Sequence, residues 1–339
     1  MHAITGARFL IMIALAAFAS LAGAAGSPPG AAPSDAQAID SPREMRAGTV
    51  GFVALPGWRV VNVVKAGNEA DGTTMLLREP QPPGGCALFV TPVVSDPSDA
   101  ATFGVTFVNA LLPAELKPFG ARGISRYDGV SGRGWRYVDL YAEVGDPKAH
   151  MAAHVLVADL GPQKVAMVGI TSSTIDINPY ALAPQPVPVC LAGQDNDDWV
   201  VLFHTLQIPG HEKDDPALSR QLIGSWSHMG TVALALTFGP NGEYSHGGAT
   251  GYTLNHVHPG KSEEHITTVA GDAHYLVQGD RLYTTCTPKC DMKKFEFFSV
   301  VRHVDAKTPA GSWMLRFIQM RQDGPGRVGY MTLNYNRDP

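Results

Sequence analysis

The stretch LIGSWSHMGTVALALTFGPNGEY, residues 222–244, decides how the C-terminal half of this chain is expected to fold. Large apolar side chains occupy every second position of residues 232–238, and this period predicts a strand with one buried face. Residues 239–242 read Gly-Pro-Asn-Gly, which is typical of a tight turn. Glu243 and Tyr244 follow, so the stretch predicts two strands that pair around this turn.

Further short segments with turn residues between them continue to the end of the chain, and they predict an antiparallel meander. The expected strands are Tyr252–His258, His265–Ala270, His274–Val277, Arg281–Thr285, Lys294–His303, Ser312–Met320 and Val328–Asn334.

This half resembles a lipocalin-like (calycin) barrel. The resemblance is carried by Gly224-x-Trp226 after a short helix, by the run from Phe238 to Tyr244, and by Gly279-Asp280-x-Leu282 before a strand. It implies a meander that closes into a β-barrel, with Gly224 and Trp226 as the barrel signature, and carriage of a small apolar ligand as the family's commonest role.

In the N-terminal half, predicted strands come first, then a helix, more strands and a closing helix. Asp96 is expected to cap the first helix, with Pro97 at its first position. Trp199, Leu202 and Leu206 lie on one face of the closing helix. This order predicts an α+β domain, in which helices cover an antiparallel sheet.

The motif Leu55-Pro56-Gly57-Trp58 and the two helices resemble the PsbP-like α/β/α fold. Members of that fold are mostly accessory and binding proteins, and this role is what the resemblance implies. The expected partner of the whole chain is a small apolar ligand or a periplasmic protein. The predicted fold class of the whole chain is therefore α+β and then all-β: an antiparallel sheet covered by helices, followed by a lipocalin-like meander β-barrel.

An apolar run from Phe9 to Leu21, followed by small residues, has the order of a signal peptide. We therefore expect residues 1–24 to be a signal peptide, residues 25–47 a flexible leader rich in Ala, Pro, Ser and Gly, residues 48–210 the first domain and residues 216–337 the second. The expected location is the periplasm or the exterior. No later stretch is long and apolar enough to predict a membrane span.

Charge excludes one class of partner. The net charge is −5 and 17% of residues are charged, below the ~25% of ordinary soluble domains. No basic cluster is present to neutralise phosphates, so a nucleic-acid partner is not expected.

Four cysteines in an oxidising compartment predict two disulfides, although they allow three pairings. Cys86–Cys190 and Cys286–Cys290 are favoured because each pair stays within one domain. Cys286 and Cys290 would close a small ring between two strands.

Histidines are dense in the second domain. His256 and His258 are two positions apart on a predicted strand and share a face. Zn²⁺ or Cu²⁺ would accept this pair together with a third group, which Glu263, Glu264 or His265 could supply. The alternative is that polar strand ends collect histidines without binding a metal.

A hairpin in the first domain offers acid–base chemistry. If residues 145–148 form its turn, Val144 pairs with Ala149 and Asp139 faces His154. A histidine beside a carboxylate can move protons, as in a hydrolase, or bind a metal. The alternative is a cross-strand ion pair on a half-exposed sheet face.

No catalytic motif accompanies these residues, so no catalytic residue is assigned. The sequence predicts an exported, non-enzymatic binding or accessory protein. Two alternatives stay open, a metal-binding protein that uses His256, His258 and His265, and a hydrolase with an Asp139/His154 site.

Overall fold

The computed structural model describes residues 37–61, 72–78, 86–112, 118, 120–144, 151–176, 185–188, 197–212, 216–229, 233–250, 265–268, 273–286, 290–295, 297–304, 311–324 and 327–338. The chain divides into two compact units. The first holds residues up to Arg126 together with Arg136–Glu212, and the second holds Tyr127–Trp135 together with the chain from Lys213 onward. The strand Ala121–Val130 therefore begins in the first unit and ends in the second.

The elements up to residue 212 are β1 (Gln37–Ala38), β2 (Arg43–Ala47), β3 (Val50–Ala54), β4 (Arg59–Val61), β5 (Thr74–Arg78), β6 (Cys86–Val90), β7 (Val94–Ser95), α1 (Ala100–Leu111), β8 (Ala121–Val130), β9 (Arg136–Val144), β10 (Met151–Asp159), β11 (Gln163–Asp176), β12 (Gln185–Pro188) and α2 (Asp197–Thr205). Those after it are α3 (Ala217–Leu222), β13 (Gly224–Met229), β14 (Ala233–Phe238), β15 (Tyr244–Thr250), β16 (His265–Thr268), β17 (Ala273–Gln278), β18 (Arg281–Cys286), β19 (Cys290–Phe295), β20 (Phe297–Val304), β21 (Ser312–Gly324) and β22 (Arg327–Arg337).

The first unit is built on an antiparallel sheet with the strand order β1–β4–β5–β6–β11–β10–β9. β7 and β12 pair with the two ends of the long strand β11, and β2 and β3 form a separate hairpin. Apolar side chains from one face of β9, β10, β11 and β6 pack against α1 and form the core on that side.

The second unit contains a meander in the order β16–β15–β14–β13–β22–β21–β20. The predicted strand–turn–strand unit is present, because β14 pairs with β15 and Phe238 lies opposite Tyr244. Trp226, Phe238, Phe298 and Phe317 lie in the core of this unit.

The predicted fold class is wrong. In the part of the chain that the structure describes, the secondary structure is mostly antiparallel sheet, with 60% strand and 13% helix. α1 packs on β9, β10 and β11, but this sheet is much larger than the area one short helix can cover, so it is not an α+β sandwich covered by helices.

The second half of that prediction is also corrected, because the described residues form no closed barrel. Closure needs one hydrogen-bonded ladder that runs all the way round. Here β17, β18 and β19 leave the meander and form a sheet of three strands. β8, from much earlier in the chain, pairs with β20. The Gly-x-Trp motif and the alternation of apolar and polar residues predict where strands form, but they do not predict which strand edges pair with each other.

Candidate functional site

The candidate site of the first unit begins at the start of α1. The structure corrects the predicted cap, since Asp99 and not Asp96 is the N-cap residue. Its Oδ1 accepts hydrogen bonds from the backbone N–H groups of Ala101 and Thr102 at 3.0 and 3.1 Å, and Thr102 Oγ1 donates to its Oδ2 at 2.5 Å. The hydroxyl of Thr102, and then its backbone N–H, hold the pKa of Asp99 below its usual value.

One face of α1 is pressed closely onto the sheet. Gly104 lies on that face, and a Cβ atom there would be 3.0 Å from Val157 Cγ2 and 3.1 Å from Val155 Cγ1. A glycine at this position therefore lets the helix approach β10 more closely than a larger residue could. The close approach also brings α1 alongside Leu140 of β9.

β8 lies near the same helix and forms the other wall. Asn109, near the end of α1, accepts a hydrogen bond from the backbone N–H of Ala121 at 3.0 Å, and this contact fixes the start of β8. Ile124 follows in β8 with 44% of its surface exposed. An exposed isoleucine beside a depression is apolar area that a ligand could bury.

Residues of α1, β8 and β9 line an open groove with a volume of about 290 Å³. Leu140 is buried and forms its floor. Most of the lining is apolar, two hydroxyls come from the helix, and one cation comes from the strand. The lining residues are Ala101, Thr102, Val105, Thr106, Ile124, Arg126 and Leu140.

The sequence patterns predict no strand between residues 114 and 134, so they do not predict the groove that β8 borders. A signal was present in β8. Arg122, Ile124, Arg126 and Asp128 alternate with less charged residues, as on the outward face of a strand with one apolar side chain among charges.

The predicted Asp139–His154 pair is the second candidate site, and the structure brings the two side chains together. His154 Nε2 lies 2.5 Å from Asp139 Oδ1, and each side chain is 4% exposed. The ring of Tyr141 stacks on the imidazole with 4.1 Å between centroids. The hydroxyl of Tyr141 donates a long hydrogen bond of 3.5 Å to Asp139 Oδ2.

The register of this hairpin differs from the prediction by two residues. Val144 pairs with Met151 rather than Ala149, so His154 lies opposite Tyr141 and Asp139 lies opposite Leu156. A slip of two positions leaves every side chain on its predicted face, because the side-chain period of a strand is two. The predicted pair therefore forms diagonally. The predicted register would also place His150 opposite Glu143, but His150 lies outside the described residues.

Burial determines what this pair can do. A hydrogen-bonded polar pair with so little exposed surface is costly to break, because either partner alone would be buried without the other, and in this conformation the pair is out of reach of a substrate. The Asp139–His154 contact therefore links β9 to β10, and the ring of Tyr141 covers the imidazole. The predicted half-exposed face is not observed.

In the second unit, the side chain of Trp226 is fully buried and its Nε1 donates to the carbonyl oxygen of Leu222 at 2.8 Å. The guanidinium carbon of Arg337 lies 5.3 Å from the centre of the Trp226 ring, and Arg337 Nη2 donates to the Ile223 carbonyl at 2.7 Å. Gly224 has a φ of 134°, and a Cβ atom there would be 3.1 Å from Arg337 Nη2. Gly224 and Trp226 thus hold β13 against Arg337 of β22.

The predicted metal ligands cannot be placed. His256 and His258 lie outside the described residues, and His265 is described only as part of the backbone of β16. In the part of the chain that the structure describes, no three His, Cys, Asp or Glu side chains are grouped as a metal site requires. The use of Zn²⁺ or Cu²⁺ stays a prediction.

The two disulfides also stay predictions. Cys86 is buried in β6, and Cys190 lies outside the described residues. The backbone register places Cys286 directly opposite Cys290 across β18 and β19.

Among the described residues, no helix has the length and apolar character needed to cross a membrane. Comparison with known proteins adds no relative: no family model, no curated protein and no solved structure matches this chain.

Proposed function

We propose that this chain is an exported binding protein that holds a small amphipathic molecule in the groove between α1 and β8. The observation that carries the proposal is the position of Ile124, which is 44% exposed at the rim of a mostly apolar groove. Large apolar side chains are exposed at only two places in the described residues, and the other is Leu276, which is not part of this groove.

The size of the groove limits the ligand. A volume of about 290 Å³ holds about ten water-sized groups, at ~30 Å³ for each. Eight-carbon amphiphiles have about this size, and their chains would lie against Val105, Ile124 and Leu140.

Binding of three eight-carbon probes, 1-octanol, octanoic acid and octylamine, tests the proposal by NMR titration of the full chain. We expect at least one probe to shift signals from α1 and β8. Ile124→Asp should abolish these shifts, because it places a charge against the apolar chain. Leu276→Asp is the matched control and should leave binding unchanged, because it makes the same substitution at the other exposed apolar residue.

Two results would overturn the proposal. One is that no probe binds the wild-type chain, and the other is that both aspartate variants bind as the wild type does.

Export rests on the order of residues 1–24. We expect a mature protein that begins at Ala25, which mass spectrometry of the protein from its own cells would detect. An intact N-terminus in a cytoplasmic fraction would contradict this part of the proposal.

Neither alternative function is adopted. A hydrolase would need Asp139 and His154 to reach a substrate, and both side chains are almost fully buried. Metal binding by His256 and His258 concerns residues outside the described ones. Elemental analysis of untagged protein is the measurement that tests it.

A further inference from the structure

We propose that the ligand of the α1–β8 groove carries an acid group and that Arg126 binds it. This inference rests on the proposed function and adds the chemical class of the ligand. The groove has an apolar floor and rim and one cationic side chain, so its charge and shape are complementary to a molecule with a short apolar chain and one anionic end.

Arg126 has the chemistry that this role needs. It is the one charged residue among those that line the groove. A guanidinium stays protonated at all physiological pH values and can donate two parallel hydrogen bonds to a carboxylate. Thr102 and Thr106 add hydroxyls to the helical wall, and the Thr102 hydroxyl already donates to Asp99, so Thr106 is the second polar group considered for the ligand.

Asp99 is an anion that interacts with Arg126 and so competes with an acidic ligand for it. Arg126 makes a small contribution to the lowered pKa of Asp99, smaller than those of the Thr102 hydroxyl and the backbone N–H groups. The two Asp99 oxygens already accept hydrogen bonds that cap α1. Asp99 therefore weakens the attraction of Arg126 for a second anion.

The test compares the affinities of three probes that differ only in their end group. Octanoate should bind the wild-type chain at neutral pH about tenfold more tightly than 1-octanol, the ratio expected for one hydrogen bond to a charged group. Octylamine, which is cationic at this pH, should bind more weakly than 1-octanol. Arg126→Gln should lower the affinity for octanoate to that for 1-octanol and leave 1-octanol unchanged.

Arg122→Gln is the matched control. Arg122 lies four residues earlier on β8, is not among the residues that line the groove, and is 3.5 Å from Glu143. Its removal changes the net charge by the same amount as Arg126→Gln, so it should preserve the preference for octanoate.

Asp99→Asn sharpens the test, because asparagine still caps the helix while the competing charge is lost. We expect this variant to bind octanoate several-fold more tightly and 1-octanol as before.

The outcomes separate the two proposals. Equal binding of the three probes, abolished by Ile124→Asp, would keep the groove as a binding site and overturn its preference for acids. The same loss of preference in the Arg122 and Arg126 variants would also overturn it, because the effect would then be one of net charge. Binding of no probe would overturn the proposed function itself.

Discussion

The two faces of β9 are both buried, but by opposite kinds of neighbour. Leu140 points into the apolar core beneath α1 and forms the floor of the groove. Asp139, the residue before it, points to the other side and contacts His154 under the ring of Tyr141. The Leu140 face is apolar and borders a groove that opens to solvent. The Asp139 face holds a polar pair that is closed off from solvent. Burial alone therefore does not tell which side binds a ligand.

Asp139→Ala should reduce stability more than any other single substitution on either face of β9. It leaves His154 buried without its carboxylate, and the loss of one partner of a buried pair costs about 3–5 kcal/mol of unfolding free energy. Chemical denaturation measures this loss. Replacement of both residues by apolar ones of similar volume, Asp139→Leu with His154→Met, should recover most of the stability. A single variant as stable as the wild type would show that the pair does not hold the hairpin.

Leu140→Ala should be destabilising by about 3 kcal/mol, since it removes a buried side chain and leaves a cavity. The same denaturation experiment measures it. The two positions should differ in which replacements they tolerate. Leu140→Met should keep most of the wild-type stability, because it conserves apolar volume. At position 139, only another carboxylate should do so as a single substitution. If a single apolar replacement at position 139 were tolerated as well as Leu140→Met, the two faces of β9 would not differ as proposed.

Gly104→Ala tests how closely α1 is packed on the Leu140 face. Three side-chain carbons, of Val157, Val155 and Leu140, would be 3.0 to 3.2 Å from the new Cβ. The strain should outweigh the gain in helix propensity and give a net loss of about 1 kcal/mol. A stabilised variant would mean that the helix can move outward, and the groove should then change its probe affinities.

Asp99→Ala should cost about 0.5–1 kcal/mol of unfolding free energy for a missing cap, and Asp96→Ala, which removes no cap, should have the smallest effect. The pKa of Asp99 is lowered in the folded chain, so its contribution is present above the pKa of the unfolded chain and is lost as the pH falls through the folded pKa. The difference in melting temperature between wild type and Asp99→Ala should therefore begin to shrink as the pH falls below about 3.8, and it should disappear only below the lower pKa that Asp99 has in the folded chain. A difference that persists there would assign the effect to helix propensity.

Sequence reasoning found the polar site but not the groove. Asp139 and His154 were predicted together because alternation assigns faces, and a register error of two residues leaves the faces unchanged. The burial of the pair was not predicted, because exposure depends on elements from elsewhere in the chain. The groove was missed for the same reason: Ile124 and Leu140 come from different strands, and α1 joins them only after folding.

The barrel prediction failed at a related point. The turn at residues 239–242 and the pairing of Phe238 with Tyr244 follow from local patterns and are observed. The described strands form no closed ring: β8 pairs with β20, and β17 to β19 form their own sheet. A strand edge offers the same backbone groups to any partner, so alternation cannot identify which edge it meets.

The amino-acid sequence by itself determined the local elements: strands with a period of two, the tight turn between β14 and β15, and which side chains of β9 share a face. These depend on dihedral preferences and contacts between residues close in the chain. Only the tertiary structure decided that one face of β9 buries the hydrogen-bonded Asp139–His154 pair, that the other face opens into a groove, and that the described strands form no closed barrel. Those outcomes depend on which distant surfaces exclude water from one another, a property of the whole packed chain.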